Sequence, residues 1–176
     1  MEKHIPGTNK AFKDENVFED YQKMIEVTDG LSLGQVCAIS GLDQFIIQNW
    51  VKRGYVARPV NKKYYDRHLA RILMINSLKD TMKIEEIGKL MELINGDVED
   101  ESDDLLSEVE LYNLFCKTVY NLDKDRTIEE CIKKVMKSVS KNDEKLFTAL
   151  EVMVYGYIAG EYKKTSKQHL QELESY

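Results

Sequence analysis

The sequence predicts a mainly α-helical chain with one small β hairpin. Three observations lead there. Apolar residues recur at helical spacing through almost every segment. Only two prolines occur, Pro6 and Pro59, so long stretches run without a helix breaker. Residues 31–73 set two short helical segments around Ser40-Gly41, then a stop at Arg53-Gly54, a basic turn and a further helix.

Taken in order, Val17, Phe18, Tyr21, Met24 and Ile25 share one face, which predicts a helix over 15–27 that ends at Asp29-Gly30. Ser32 suits an N-cap, and Leu33, Val36, Cys37 and Ile39 supply the apolar face of the next helix. Gly41 permits a left-handed turn. Asp43 suits the cap of a second short helix near 44–53, which Gly54 stops. Asn61-Lys62-Lys63 reads as the turn between two short strands. Asp66 suits the cap of a helix with Leu69, Ile72, Leu73 and Leu78 buried, and Ile84, Ile87, Leu90, Met91 and Ile94 predict another over 84–94. DVEDESDD at 97–104 reads as a linker, because a single valine among acids and a serine cannot bury itself. Three more helices follow, over 105–121, from a Thr127/Glu130 capping box to about 139, and from Asn142-Asp143 to at least Tyr162. The expected organisation is a helical extension (1–30), a winged helix-turn-helix (31–95), an acidic linker (96–104) and a helical dimerisation or effector domain (105–176).

At 176 residues, with 43% hydrophobic and 32% charged residues, the chain can bury a real core. It has no run of eighteen apolar residues and no apolar leader near the N-terminus. The three cysteines, Cys37, Cys116 and Cys131, are odd in number and scattered, which suits reduced thiols in a cytoplasm. With no CxxC, and with His4, His68 and His169 far apart, no metal site is expected. Nothing resembles a phosphate-binding Gly loop, a nucleophile elbow or a triad, so neither enzyme activity nor a cofactor is expected.

The net charge is −6, but it is unevenly spread. Residues 31–80 carry +5 and residues 81–112 carry −9. A local basic block governs phosphate contact, because charges more than about 8–10 Å apart are screened at physiological salt. On a helical wheel of 44–53, Ile46, Ile47, Trp50 and Val51 form a core stripe. Gln44, Gln48 and Lys52 form a second stripe, bordered by Phe45 and Asn49. Amide side chains can bond the N6 and N7 edge of adenine in the major groove, so Gln44, Gln48 and Asn49 are the candidate base readers. Lys52, Arg53, Arg58, Lys62, Lys63 and Tyr64 are the candidate backbone contacts, with Tyr65 packing beneath the turn. The bland alternative is that these amides are ordinary solvated residues, and the rival function is a winged-helix module whose head docks a protein partner with no DNA involved. A small-molecule sensor lined by Tyr112, Phe115, Met153, Tyr155 and Tyr157 is a third.

These residues resemble the DNA-binding head of MerR-family regulators. The resemblance runs through Leu31-Ser32-Leu33-Gly34-Gln35-Val36-Cys37, Gly41-Leu42, Trp50 before Gly54, Pro59, Lys63-Tyr64-Tyr65 and the helix MKIEEIGKLM, and covers about 31–94. Gln48 stands where that family commonly has a DNA-contacting Arg, and Asn49 where it has a Tyr. IIQNWVKRGY with KKYYDRHLARILMINSLK is similar to a bacterial domain family of unknown function, seen mainly in Gram-positive bacteria, that joins a MerR-like head to a helical tail. The resemblance implies a transcriptional regulator and gives no known ligand or target. Sequence-specific binding of double-stranded DNA as a homodimer is expected, because one short recognition helix reads few base pairs and a second copy doubles the site. No membrane association is expected, and any effector is unknown.

Overall fold

The computed structural model describes residues 3–100, 105–122, 125–139 and 143–175. Among these residues the fold is mainly helical, with eight helices: α1 (Val17–Thr28), α2 (Leu33–Ser40), α3 (Gln44–Lys52), α4 (Asp66–Leu78), α5 (Ile84–Asn95), α6 (Glu108–Asn121), α7 (Ile128–Met136) and α8 (Glu144–Glu174). Residues 101–104 of the expected acidic linker lie outside the described residues.

Local chemistry accounts for most of the helix boundaries. Ser32, Ser107 and Thr127 each accept a hydrogen bond from the backbone N–H three residues on, and Gln35, Glu110 and Glu130 bond back to the caps. The Ser107 box starts α6 at Glu108, three residues later than the apolar pattern implied. Asp43 occupies the cap position of α3 but makes no side-chain cap bond. Gly41 closes α2 in the left-handed region at φ 71°.

The segment expected as two strands is a tight turn. Asn61 and Lys62 both adopt positive φ, and Val60 and Lys63 exchange backbone hydrogen bonds of 3.0 and 2.8 Å. Leu31 and Tyr64 exchange a second pair, at 2.7 and 2.8 Å. The pairings stay isolated bridges, and no strand forms among the described residues. Pro59 lacks a donor that could extend the ladder, and Ser32 already caps α2.

One continuous buried cluster runs from Ile5 to Tyr157. α4 is its axis, packing on α1, α2, α5, α6 and α8. Tyr112 meets Phe18 edge to face, and Phe115 meets Tyr157 in the same way. Tyr112, Phe115, Met153 and Tyr157 therefore fill the core, while Tyr155 points outward. The N-terminal arm is laced onto this core through its backbone. The Tyr157 and Tyr112 hydroxyls donate to the His4 and Pro6 carbonyls, and Asn76 donates to the Gly7 carbonyl.

Two buried polar side chains join the segments around α4. Arg71, 4% exposed, donates from Nε to the Tyr55 carbonyl at 2.6 Å, and its guanidinium lies 3.7 Å from the Glu108 carboxylate, itself 3% exposed. Glu108 sits in the first turn of α6, where the helix dipole favours an anion. His68 accepts at Nδ1 from the Tyr65 N–H (2.9 Å), and its Nε2 lies 3.1 Å from the Arg58 carbonyl. Nε2 donates there, so these contacts select the neutral ring. Burial pushes the His68 pKa below its ordinary value, more strongly than the Arg58 carbonyl pulls it up. His68 is thus buried at the base of the turn, 4% exposed, and is no surface group for solvent or phosphate.

Removing Arg71 strands a carboxylate in the core. Arg71→Ala is expected to cost about 3–5 kcal/mol in urea unfolding, and the paired change Arg71→Met with Glu108→Leu to recover most of it. Protonating His68 favours the unfolded chain. Its contribution is complete above the ordinary imidazole pKa and is lost as pH falls through the lowered folded value. Between about pH 7.5 and 5, the wild type should therefore lose more stability than His68→Asn does in parallel thermal melts. Equal slopes would assign the pH dependence to other groups.

Candidate nucleic-acid interface

α3 presents two unlike sides. Ile47 and Trp50 are buried against the core, with Ile46 and Val51 half-buried beside them. Gln44, Gln48 and Lys52 are exposed, and Asn49 is half-buried at the border. Phe45, 76% exposed, stands in the middle of the polar side. The i, i+4, i+8 spacing thus brings Gln44, Gln48 and Lys52 onto one accessible row, with Asn49 only partly available.

The expected backbone contacts divide into two groups. Lys52, Arg58 and Lys62 are exposed. Arg53 is exposed but engaged: it pairs with Glu85 at 2.8 Å and lies over the Tyr55 ring at 5.0 Å. The Glu85 carboxyl is held below its usual range, first by its own backbone N–H and then by Arg53. Lys63 is half-buried, and its ammonium donates to the Thr28 and Gly30 carbonyls at 3.2 and 3.4 Å, next to the end of α1. Lys63 is therefore an internal strut.

Tyr64 and Tyr65 exchange the places the sequence suggested. Tyr64 is 4% exposed and meets His68 edge to face, so its ring belongs to the core. Tyr65 is half-exposed, and its hydroxyl donates to Asp29 at 3.4 Å. Neighbours in an extended segment point to opposite sides, and the Leu31–Tyr64 bridge decides which one points inward.

Acidic groups border this surface. The Glu99 carboxylate accepts from the Arg58 N–H at 3.2 Å, and the Arg67 guanidinium donates to the Val98 carbonyl. Behind Tyr55 lies a cleft of about 480 Å³ whose walls include Arg71, Glu85, Glu92 and Asp97. Gly88 lets α5 approach there: a Cβ at that position would fall 2.9 Å from the Tyr55 ring. The roles of Glu85, Tyr55 and Glu99 were missed in the sequence. The Glu85 and Glu99 contacts are long-range, as is the seat of Tyr55 against Gly88, and no local spacing marks them.

Cys116 and Cys131 are buried and Cys37 is half-buried. Burial pushes the Cys116 thiol well above its ordinary pKa. Among the described residues, no group of His, Cys, Asp or Glu could hold a metal ion, and no helix is long and apolar enough to cross a membrane.

Residues 22–115, from within α1 to within α6, match a family described as a domain of unknown function, DUF1836. A protein of Bacillus subtilis (strain 168), named "Uncharacterized protein YkrK", is 30% identical over 86 residues. That stretch is 47% of this chain and 37% of the Bacillus protein, so the chain spans well under two thirds of that relative's length. No solved structure matches the chain. The family match covers more than half of the chain and takes in the whole of α2 to α5, so the protein belongs to the DUF1836 family.

Proposed function

We propose that α2, the Gly41 turn, α3 and the Val60–Lys63 turn work as a MerR-like winged helix-turn-helix that binds double-stranded DNA. In this reading the protein is a transcriptional regulator that acts as a homodimer, and no catalytic step or cofactor is involved. One observation carries it. α3 is anchored by Ile47 and Trp50 while Gln44, Gln48 and Lys52 face solvent, and the turn bearing exposed Lys62 belongs to the same basic segment.

The roles follow from chemistry. Gln44 and Gln48, with Asn49 at the margin, read base edges through paired amide hydrogen bonds. Phe45 packs against a thymine methyl. Lys52, Arg58 and Lys62 meet phosphates and set the position on the duplex, as the short wing does in winged helices. Arg53 joins them only by leaving Glu85. Tyr64 is dropped from the contacts, and Lys63 acts by holding the turn against α1.

A second reading rests on Phe45. An aromatic so exposed at the centre of a helix face also suits a protein partner, for which the overall acidity of the chain is no obstacle.

Selection of bound fragments from random duplex DNA, followed by fluorescence anisotropy on the selected site, separates the two. Gln48→Ala with Asn49→Ala should erase most of the preference for the selected site over scrambled DNA, by about 1–3 kcal/mol per lost base contact. Lys52→Ala with Lys62→Ala should weaken both DNAs alike. If a dimer neutralises about six phosphates, log affinity should fall with log salt at a slope of about −5. Failure to enrich any sequence, together with binding that ignores salt between about 50 and 200 mM, would sink the DNA reading and favour the protein-partner one.

A further inference from the structure

Tyr112, Phe115 and Met153 are spent on the core, and a ligand-sized space lies elsewhere, where four segments meet. The N-terminal arm, the Ser40-Gly41 turn, the end of α4 and the middle of α8 enclose a cavity of about 170 Å³. An engineered apolar cavity of about 150 Å³ holds benzene, so this one suits a guest of roughly six to ten non-hydrogen atoms.

The walls are tied to one another before anything binds. Asn76 of α4 donates from its amide nitrogen to the Gly7 carbonyl at 2.8 Å and to the Ser40 carbonyl at 2.9 Å. Tyr157 of α8 donates to the His4 carbonyl at 2.9 Å. The arm also touches the turn: a Cβ at Gly41 would fall 3.2 Å from the Asn9 amide nitrogen. A cavity bounded by such bonds needs little further ordering around a guest.

Its lining is polar and of mixed sign. The hydroxyls of Thr8, Ser40 and Ser77 donate to carbonyls of their own segments. Lys164 is paired with Glu161 at 2.7 Å. Three further side chains of the wall, Asn9, Lys79 and Asp80, make no hydrogen bond or ion pair among the described residues. Partial burial lowers the Lys79 pKa, more than the neighbouring Asp80 raises it, and Lys164 lowers it further. A plain anion here would face Asp80 and Glu161 as well as Lys79, and a plain cation would face Lys79 and Lys164. A guest that carries both charges meets each unpaired group with its opposite.

We infer that this cavity binds a small polar amino acid as the free zwitterion, its carboxylate toward Lys79 and Asn9 and its ammonium toward Asp80. The site stands apart from the DNA reading, since no wall residue is a candidate DNA contact.

Thermal melts of the full chain with each of the twenty amino acids, at a few millimolar, test it. One or more of serine, threonine, asparagine and aspartate should raise the melting temperature by mass action. By isothermal titration, Lys79→Gln and Asp80→Asn should each weaken binding of the best one by about tenfold or more. Both side chains are exposed at the rim, so the ligand-free melting temperature should hardly move. The N-acetyl and amide derivatives of that amino acid, each lacking one charge, should bind more weakly by a similar factor. No rise with any amino acid, or a rise confined to the aromatic ones, would leave the cavity to water and overturn the proposal. Binding that both variants keep unchanged would move the site elsewhere. A derivative that binds as well as its parent, or an equal rise with inorganic phosphate or putrescine, would rule out recognition of the zwitterion.

Discussion

A guanidinium with almost no access to water constrains the rest of this fold. Arg71 lies on α4, yet its hydrogen bond goes to the exit from α3 and its ion pair to the start of α6. A buried charge is tolerated only where its partners hold position, so these contacts tie the α2–α3 corner and the C-terminal helices to a common geometry. The continuous core agrees with this. α4 packs on helices from both ends of the chain, and the two halves are not separated by an apolar boundary of their own.

That constraint explains how a nine-residue helix can display polar residues without shifting. α3 has few core residues, chiefly Ile47 and Trp50, and its N-cap lacks a side-chain bond. The helix is steadied from its far end instead. Tyr55 bonds Arg71 through its carbonyl, packs under Arg53 and fits against Gly88 of α5. The turn that follows is steadied from below, by His68 on the Arg58 carbonyl and Lys63 on the carbonyls near the end of α1. Much of the cationic inventory of residues 31–80 is therefore spent on architecture, and the surface left to meet an anion is narrower than the charge count implies.

The periodicity of the sequence reveals the helices well, because amphipathic spacing and capping residues are local. Ser32, Gly41, Gly54 and Thr127 mark boundaries that the structure respects. The sequence was less informative wherever a partner lay far along the chain. Tyr64 and Tyr65 are alike by composition, and only the bridge to Leu31 decides which is buried. Arg53, Lys63 and Arg71 look like free cations until Glu85, the α1 carbonyls and Glu108 come into contact with them. In the candidate interface, the exposed side of α3 could be read from its wheel. The half-burial of Asn49 and the carboxylate at Arg58 could not. The last helix runs past Tyr162, as expected, and goes on to Glu174 because its polar last turns carry no breaker.

The N-terminal arm holds on by main-chain oxygens at His4, Pro6 and Gly7 as well as by Ile5 in the core and Phe12 against Tyr120. His4 can offer its carbonyl whatever its side chain, but Gly7 cannot be replaced so freely: its φ is 77°, and a Cβ there would fall 2.1 Å from the Leu73 carbonyl oxygen. Relatives of this chain can therefore differ at His4 while keeping Gly7 and the spacing ahead of α1, and insertions would be purged where such replacements drift.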